Sequence, residues 1–339
     1  MSKIIQLVVL VTTLFALQFA PQQTFAAEQK AILVLGGFGA QPGVAGEQKA
    51  VLITGASTGI GRNMVERLAK EGHFVYAGAR KDKDLAELDA IENIKAVRLD
   101  VTKQADVDAA VALIREEGRG LWGLVNNAGV ATRAPVVAVT DEEVDFVFAV
   151  NVDGVVRVTR AFIPLIVESK GRIVTTGSIA GIRSGPGGSV YSMTKHAVEA
   201  FTDSLAAEMA DTGVQVSVIE PGAYKSRIRR NVIGRFMNDV AASGEEVPDE
   251  MREQAKQLAE REIAMDEPDD VSAALVHALS ADVALRRYLV TPNAEQAEST
   301  VRALVRELVE LNEWKQNGFS RDELVQMLDE ALNPQPASD

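Results

Sequence analysis

The sequence predicts a single doubly wound α/β domain built on a mainly parallel sheet of about seven strands. Two observations predict this class. From Lys49 onward, short apolar runs alternate with amphipathic helical patterns, and glycine-rich or polar residues follow four of those runs. Strands that alternate with helices form right-handed crossovers, so ligands bind at the carboxyl ends of the strands. We also expect a helical lid insertion and a C-terminal helical extension.

The strands of this domain, which we assign to residues 49–292, are the short apolar runs. In order they cover residues 51–53, 74–78, 96–99, 121–125, 172–176, 214–219 and 288–290. Amphipathic patterns predict helices at residues 62–70, 103–117, 189–210 and 270–279, and a long helix after Asn151. Thr102 is expected to cap the second helix, and Thr140 with Glu143 forms a capping box.

Two helical segments are predicted in addition to the alternating units. Residues 223–266 are polar and helix-prone and precede the last helix. An insertion there lies over the ligand crevice, which predicts a mobile lid, with a solvated helical excursion as the alternative. Residues 293–339 contain two further amphipathic patterns, and we expect a packing or dimerisation extension.

The composition excludes several classes of function. The 339 residues carry a formal net charge of −13, which argues against a nucleic-acid partner because no basic stripe can neutralise phosphates. The chain has no cysteine and three scattered histidines. Disulfides and thiolate sites are therefore excluded, and we expect no metal centre.

Residues 1–26 have the layout of a signal peptide or a membrane anchor. Lys3 precedes an almost wholly apolar run over residues 4–20, and Thr24 and Ala26 form a candidate small-residue cleavage site. A genuine signal predicts a periplasmic or membrane-associated protein. A mis-assigned start site predicts a cytoplasmic one.

Residues 27–48 are predicted to be a linker that contains a partial duplication. Residues 28–34 nearly repeat at residues 47–53, and each copy leads into glycines. The first copy continues into Pro42 and Gly43, which leave no helix to receive a phosphate. We therefore favour a linker or an extra edge strand over a second phosphate loop.

The stretch from Val51 to Gly61 joins a buried strand to a glycine-spaced turn and a helix. Gly55, Gly59 and Gly61 permit a tight turn and close backbone approach, so a diphosphate can lie on the helix N-terminus. This is the dinucleotide-binding arrangement of a Rossmann-type domain. The candidate ligands in this turn are Gly55, Ser57, Thr58, Gly59, Ile60 and Gly61.

Tyr191 and Lys195 share one helical face because they are four residues apart. A tyrosine hydroxyl ordinarily has a pKa of about 10, and a nearby ammonium is expected to lower that pKa by stabilising the phenolate. Such a tyrosine can exchange a proton with an alcohol or a carbonyl compound. Ser178 can hold the same substrate oxygen, and Asn151 can position a water beside Lys195. We take these four residues as the candidate catalytic set.

The motifs together resemble the short-chain dehydrogenase/reductase family over residues 49–292. They are Thr54-Gly55-x-x-x-Gly59-Ile60-Gly61, Asn126-Asn127-Ala128-Gly129, Asn151, Ser178, Tyr191-x-x-x-Lys195 and Pro221-Gly222. The resemblance implies an oxidoreductase that transfers a hydride between a nicotinamide dinucleotide and an alcohol or carbonyl carbon. The three residues between Gly55 and Gly59 argue against a sugar epimerase or dehydratase of the extended branch.

The resemblance also implies a role for each site residue. Tyr191 is the acid/base, and Lys195 lowers its pKa and holds the nicotinamide ribose. Ser178 orients the substrate oxygen, and Asn151 holds a relay water. The other implied dinucleotide ligands are Asp100 and Asn127 on the adenosine side, with Ala128, Gly129, Pro221, Gly222 and Ser226.

The end of the second strand determines the choice of dinucleotide. A carboxylate there would accept the adenine ribose hydroxyls and repel a 2′-phosphate. The chain has Arg80 and Lys81 instead, and an arginine can pair a phosphate in a bidentate way. The sequence therefore predicts a preference for NADP(H), with NAD(H) as the alternative.

The expected substrate is an apolar alcohol or carbonyl compound of steroid, retinoid or long-chain type. The residues next to the predicted crevice, such as Val130 and Ile228, are apolar, and residues 220–224 resemble the retinol and hydroxysteroid dehydrogenase branch. A non-catalytic dinucleotide-binding sensor or scaffold is the alternative function. The family resemblance further implies a homodimer or homotetramer.

Overall fold

The computed structural model describes residues 48–314, 316 and 318–333. The predicted signal or anchor (1–26) and nearly all of the predicted linker with its duplication (27–48) lie outside the described residues. From residue 48 onward the described chain belongs to one compact unit.

A sheet of seven parallel strands forms the centre of the fold. Its order is β3-β2-β1-β4-β5-β6-β7, so the direction of winding reverses between β1 and β4. The strands are β1 (Ala50–Ile53), β2 (Phe74–Ala79), β3 (Ile94–Arg98), β4 (Gly123–Asn126), β5 (Arg172–Thr176), β6 (Gln215–Pro221) and β7 (Arg287–Val290). A crevice opens at the carboxyl ends of strands where winding reverses, which places a ligand site there.

Helices cover both faces of this sheet. Those between strands are α1 (Gly59–Lys70), α2 (Asp82–Asp89), α3 (Gln104–Glu117), α4 (Asp141–Phe148), α5 (Gly154–Ser169), α6 (Ser189–Glu208) and α9 (Asp269–Ser280). Successive residues of β1 enter opposite cores, Leu52 with α3, α5 and α6, and Ile53 with α1 and α9. Both side-chain faces of the strand are therefore buried, as its continuous apolar run predicts.

The structure corrects the predicted elements in a few places. Helix α1 begins at Gly59, inside the glycine turn, and the short charged helix α2 was not predicted. Thr102 does not cap α3, because its hydroxyl donates to Asp100 Oδ1 at 2.7 Å and the N-cap position is Lys103. The predicted capping box at Thr140 and Glu143 is confirmed.

The lid region contains α7 (Ile228–Ala242) and α8 (Asp249–Ile263), and the C-terminal region contains α10 (Ala294–Leu311) and α11 (Arg321–Leu332). An apolar stripe on α10, which includes Val301, Leu304, Val305 and Leu308, is about half exposed. Among the described residues, no helix combines the length and apolar character needed to span a bilayer.

Candidate active site

One pocket of about 260 Å³ lies at the carboxyl ends of the central strands. Every residue that the sequence predicts to bind the dinucleotide lines it, from the glycine turn to Ser226. Of the four candidate catalytic residues, Ser178, Tyr191 and Lys195 also line it, whereas Asn151 lies behind the pocket wall. The fold therefore brings the predicted dinucleotide ligands and three of the four candidate catalytic residues into one crevice.

The glycine turn forms a cradle with no room for a side chain at Gly55 or Gly61. A Cβ on Gly55 would lie 2.7 Å from the Cα of Ala128, and Gly55 has a φ of +67°. A Cβ on Gly61 would lie 2.3 Å from Asn127 Nδ2, which itself donates to the Thr54 and Gly55 carbonyls at 3.0 and 3.2 Å. The bare backbone at the start of α1 fits a diphosphate.

Thr54 ties the glycine turn to the segment that follows β4. Its hydroxyl accepts hydrogen bonds from the backbone N–H groups of Asn127 and Ala128, both at 3.0 Å. The sequence motif contains Thr54, but no role was predicted for it. Its position directly before the first glycine is the signal that could have identified this contact.

Arg80 and Asp100 face each other at the end of the pocket beside β2 and β3. Arg80 Nη1 lies 4.0 Å from Asp100 Oδ2, and the Arg80 side chain is 58% exposed. Burial favours a raised pKa for Asp100, but hydrogen bonds from Thr102 and the charge of Arg80 outweigh it, so the pKa is lowered. This end of the pocket therefore presents both a cation and a carboxylate.

Lys195 is buried, and its Nζ donates to the Thr176 carbonyl at 2.8 Å and lies 5.8 Å from the Tyr191 ring centroid. Burial lowers the pKa of Lys195 to about 8, against the opposing charge of Glu199. The ammonium is thus held at the end of β5, one helical turn from the tyrosine.

The predicted lowering of the Tyr191 pKa is wrong for this structure. Burial raises the pKa of the Tyr191 phenol, and the opposing effects come from Ser178 and from the charge of Arg229 on the lid helix α7. Desolvation of the phenolate is the larger effect here, since Lys195 directs its ammonium to the Thr176 carbonyl. The phenol is therefore protonated at neutral pH.

Asn151 lies in a π-helical turn, Ala149–Asp153, between α4 and α5. Its Nδ2 donates to the Val130 carbonyl at 2.8 Å and to Thr194 Oγ1 at 3.0 Å, and its Oδ1 accepts from the Val130 N–H at 2.9 Å. The carboxamide thus joins the wall behind Gly129 to helix α6. The relay-water role of Asn151 remains a prediction.

Ser178 caps a short 3₁₀ turn, Ile179–Gly181, where its Oγ accepts from the Ala180 N–H at 3.0 Å. Its one O–H remains available to donate toward Tyr191 or a substrate oxygen. Residues at the start of the lid also line the pocket without having been predicted as site residues, among them Tyr224, Arg227 and Asn231. Only the folded chain shows which residues of the long insertion reach the crevice.

A parallel sheet whose winding reverses beside a glycine cradle defines the dinucleotide-binding class of α/β domains. The short chain dehydrogenase family matches residues 49–234, more than half of the chain. The chain therefore belongs to the short chain dehydrogenase family, whose members bind NAD(P)(H), and the predicted family and fold class are confirmed.

Three relatives illustrate the similarity. D-beta-hydroxybutyrate dehydrogenase, mitochondrial, of Bos taurus is 42% identical over 181 residues, 50% of this chain and 53% of its own. The Rattus norvegicus enzyme of the same name is 34% identical over 255 residues, 69% and 74% of the two chains. Retinol dehydrogenase 16 of Homo sapiens is 37% identical over 180 residues, 52% and 56%. The chain thus spans about half the length of the bovine and human relatives.

Solved structures agree with this assignment. A short chain dehydrogenase/reductase from Burkholderia phymatum in complex with NAD superposes with a TM-score of 0.65 at 25% identity, over 81% of this chain and 98% of that chain. The predicted likeness to retinol dehydrogenases agrees with the relatives found.

Proposed function

We propose that the chain is an oxidoreductase that interconverts an alcohol and its carbonyl compound with a nicotinamide dinucleotide. The main support for the proposal is that Ser178, Tyr191 and Lys195 line the same pocket as the glycine cradle. Neither group of residues alone would support this function. Together they supply a place for a diphosphate and a phenol that can exchange a proton.

The dinucleotide would be held along the pocket by backbone and side chains. The turn from Gly55 to Gly61 would hold the diphosphate, with Asp100 and Asn127 on the adenosine side. Lys195 would hold the nicotinamide ribose, and Ser226, beside Pro221 and Gly222, would hold the carboxamide. The bound nicotinamide supplies or accepts the hydride.

Tyr191 would carry the proton. Its raised pKa keeps the phenol protonated at neutral pH, which suits an acid that donates to the oxygen of a carbonyl substrate. The Ser178 hydroxyl would orient that oxygen. After donation, the phenolate would be stabilised by the nearby Lys195 ammonium and by Arg229, and a water held near Asn151 would return the proton.

A preference for NADP(H) over NAD(H) is the second part of the proposal. Arg80 lines the pocket and is more than half exposed, so its guanidinium can reach a 2′-phosphate. Its separation of 4.0 Å from Asp100 leaves the ion pair loose. Asp100 would remain as a contact to the adenine.

Two substrate classes follow from different observations. An apolar alcohol or ketone is supported by Val130 and Ile228 in the pocket lining and by the similarity to retinol dehydrogenase 16. A short hydroxy acid is the second candidate. The positive charge of Arg229 is felt by the Tyr191 phenol, whose pKa it lowers against burial, and a cation near the phenol suits a carboxylate substrate. Two relatives are also named for hydroxybutyrate. Turnover of D-3-hydroxybutyrate but not of its methyl ester would favour the acid, and turnover of long-chain or steroid ketones alone would favour the apolar class.

The function is tested on the purified chain in two stages. Fluorescence titration measures binding of NADPH and NADH, and dinucleotide consumption is then followed on a panel of aldehydes and ketones. Binding with turnover supports the oxidoreductase. Binding without turnover on any carbonyl compound would favour the non-catalytic sensor or scaffold.

We also propose a homodimer or homotetramer that uses α5 and α6. Val156 on α5 and Met193 on α6 are exposed apolar side chains, at 39% and 56%. Light scattering after gel filtration tests this, and a monomer at micromolar concentration would contradict it.

Sequencing the N-terminus of the mature protein, together with cell fractionation, would distinguish a periplasmic or membrane-associated localisation from a cytoplasmic one.

A further inference from the structure

Two glutamates with buried carboxyl oxygens lie next to the proposed catalytic residues without belonging to that set. Glu199 is one helical turn beyond Lys195 on α6, and Glu220 precedes Pro221 on β6. Their side chains are 13% and 3% exposed. Carboxylates are rarely buried unless they are paired, so this pair requires an explanation.

Glu199 lies beneath the turn that carries Ser178. A Cβ on Gly177 would lie 2.9 Å from Glu199 Oε1, and a Cβ on Gly181 would lie 3.1 Å from the same oxygen. The glycines on either side of Ser178 thus leave space for this carboxyl group, whose oxygens are buried. Glu199 also shares a helical face with Lys195.

The carboxyl oxygens lack donors. Glu199 Oε1, Glu199 Oε2 and Glu220 Oε1 are buried without a hydrogen-bond partner among the described residues. The nearest cation is Arg287, whose Nε lies 3.4 Å from Glu199 Oε2 and 3.6 Å from Glu220 Oε1. Both carboxyl groups lie against the same Arg287 Nε and are neighbours of each other, and a hydrogen bond between them needs a proton on one of them.

The cations around the pair are shared with a third carboxylate, that of Asp203. On α6 the charged neighbours are Lys195 and Asp203, and from β7 and its entry they are Arg287 and Arg286. Arg287 also pairs with Asp203 at 2.7 Å, and Arg286 pairs with Asp203 at 3.7 Å. Burial and the adjacent Glu199 raise the pKa of Glu220, against Arg287, and burial likewise raises the pKa of Glu199.

We propose that Glu199 and Glu220 hold one proton between them at neutral pH, and that its release in alkaline solution adds a negative charge that moves the loss of the Lys195 ammonium proton to higher pH. In this step the carboxyl O–H bond breaks and the proton passes to water or hydroxide, while no proton leaves Lys195 Nζ. Both glutamates are positioning residues, because they act on the reaction through Lys195. The shared proton is independent of the proposed function, whereas its effect on turnover rests on that function.

The shared proton is tested by infrared difference spectroscopy of the full chain. We expect a carboxylic acid carbonyl band at pH 7 that shifts in heavy water and disappears in alkaline solution. Glu220→Gln should remove this band, while Asp203→Asn, which alters the same Arg287 network outside the buried pair, should retain it. Absence of the band from the wild type, or its persistence in both Glu199→Gln and Glu220→Gln, would overturn the shared proton.

The effect on Lys195 is tested by the pH dependence of kcat/KM for carbonyl reduction. Glu199→Gln removes a negative charge, so the alkaline limb should move to lower pH by roughly half to one unit, with a smaller move in Glu220→Gln and none in Asp203→Asn. Limbs that coincide in all four proteins would overturn the link to Lys195. Lack of turnover in every protein would reject the proposed function, while the infrared result would still decide the shared proton.

Discussion

The two ends of the pocket are built by different physical means. At the glycine end, backbone atoms lie so close together that a Cβ on Gly55 or Gly61 has no room. At the tyrosine end, Tyr191, Lys195 and Glu199 follow one face of α6, and burial sets their ionisation. The first end depends on shape and the second on charge.

This difference explains why the two ends respond to different changes. A methyl group added at the glycine end would collide with backbone atoms that cannot move away. The collision should weaken both dinucleotide binding and stability. A single oxygen removed at the tyrosine end leaves the packing intact and affects proton transfer. Substitutions that separate these responses test the comparison.

Tyr191→Phe should produce the largest loss. The variant keeps the ring and removes the proton, so the rate of carbonyl reduction should fall about 10²–10⁴-fold. NADPH affinity, measured by fluorescence, should change little because the glycine cradle is untouched. Near-normal turnover in Tyr191→Phe would show that the phenol is not the acid.

Gly61→Ala tests the steric end. The new Cβ would lie 2.3 Å from Asn127 Nδ2 and 2.4 Å from the Gly55 carbonyl oxygen, so we expect the free energy of unfolding to fall by about 1–3 kcal/mol. NADPH affinity should fall with it. Both are measured by urea unfolding and fluorescence titration.

Gly234→Ala is the matched control for that variant. Gly234 lies within α7, and apart from its chain neighbours and the backbone of its own helix no atom is within 4 Å of its added Cβ. The control should leave binding unchanged and raise stability by about 0.5–1 kcal/mol, since alanine favours a helix. Equal losses in the two variants would contradict the steric account.

Arg80→Ala should reduce the preference for NADPH over NADH. We expect NADPH affinity to weaken about tenfold, which corresponds to the loss of one charge-assisted phosphate contact. NADH affinity should change little. Lys81→Ala is the control, because Lys81 occupies the N-cap position of α2 and does not line the pocket. If both variants lose NADPH affinity equally, general positive charge rather than Arg80 selects the phosphate.

The smallest expected effect is a decline of kcat/KM for carbonyl reduction at alkaline pH. The pKa of Lys195 is lowered from 10.5 to about 8, so the ammonium is present below that pH and is lost above it. Carbonyl reduction should therefore slow as pH rises through about 8, because the phenolate formed on Tyr191 loses its countercharge. A pH profile of kcat/KM with no decline until pH values near the ordinary lysine pKa would refute this assignment.

The sequence was most informative where residue type alone restricts the structure. Gly61 has no acceptable replacement beside Asn127, and the spacing of Tyr191 and Lys195 defines a helical face, so both ends of the pocket could be predicted. The pKa of Tyr191 could not, because it depends on how far the folded chain excludes water from the ring. The proximity of Glu199 to Glu220 could not be predicted either, because it arises from the packing of α6 on β6.

Local competition between side chains accounts for other differences. Thr102 looked like a helix cap, but Asp100 accepts its hydroxyl at 2.7 Å. The amphipathic pattern placed the start of α1 after the glycines, whereas the helix begins at Gly59. In both cases a neighbouring polar group or a tight turn, rather than helix propensity, determined the boundary.

The π-helical turn at Ala149–Asp153 contains an extra residue compared with an α-helical turn. Deleting one residue there would restore a regular helix and rotate the chain on one side of the deletion by about 100°. Asn151 would then swing away from Val130 and Thr194, even though every motif side chain would still be present. Chain length across these five residues thus specifies the site as strictly as their chemical identity does.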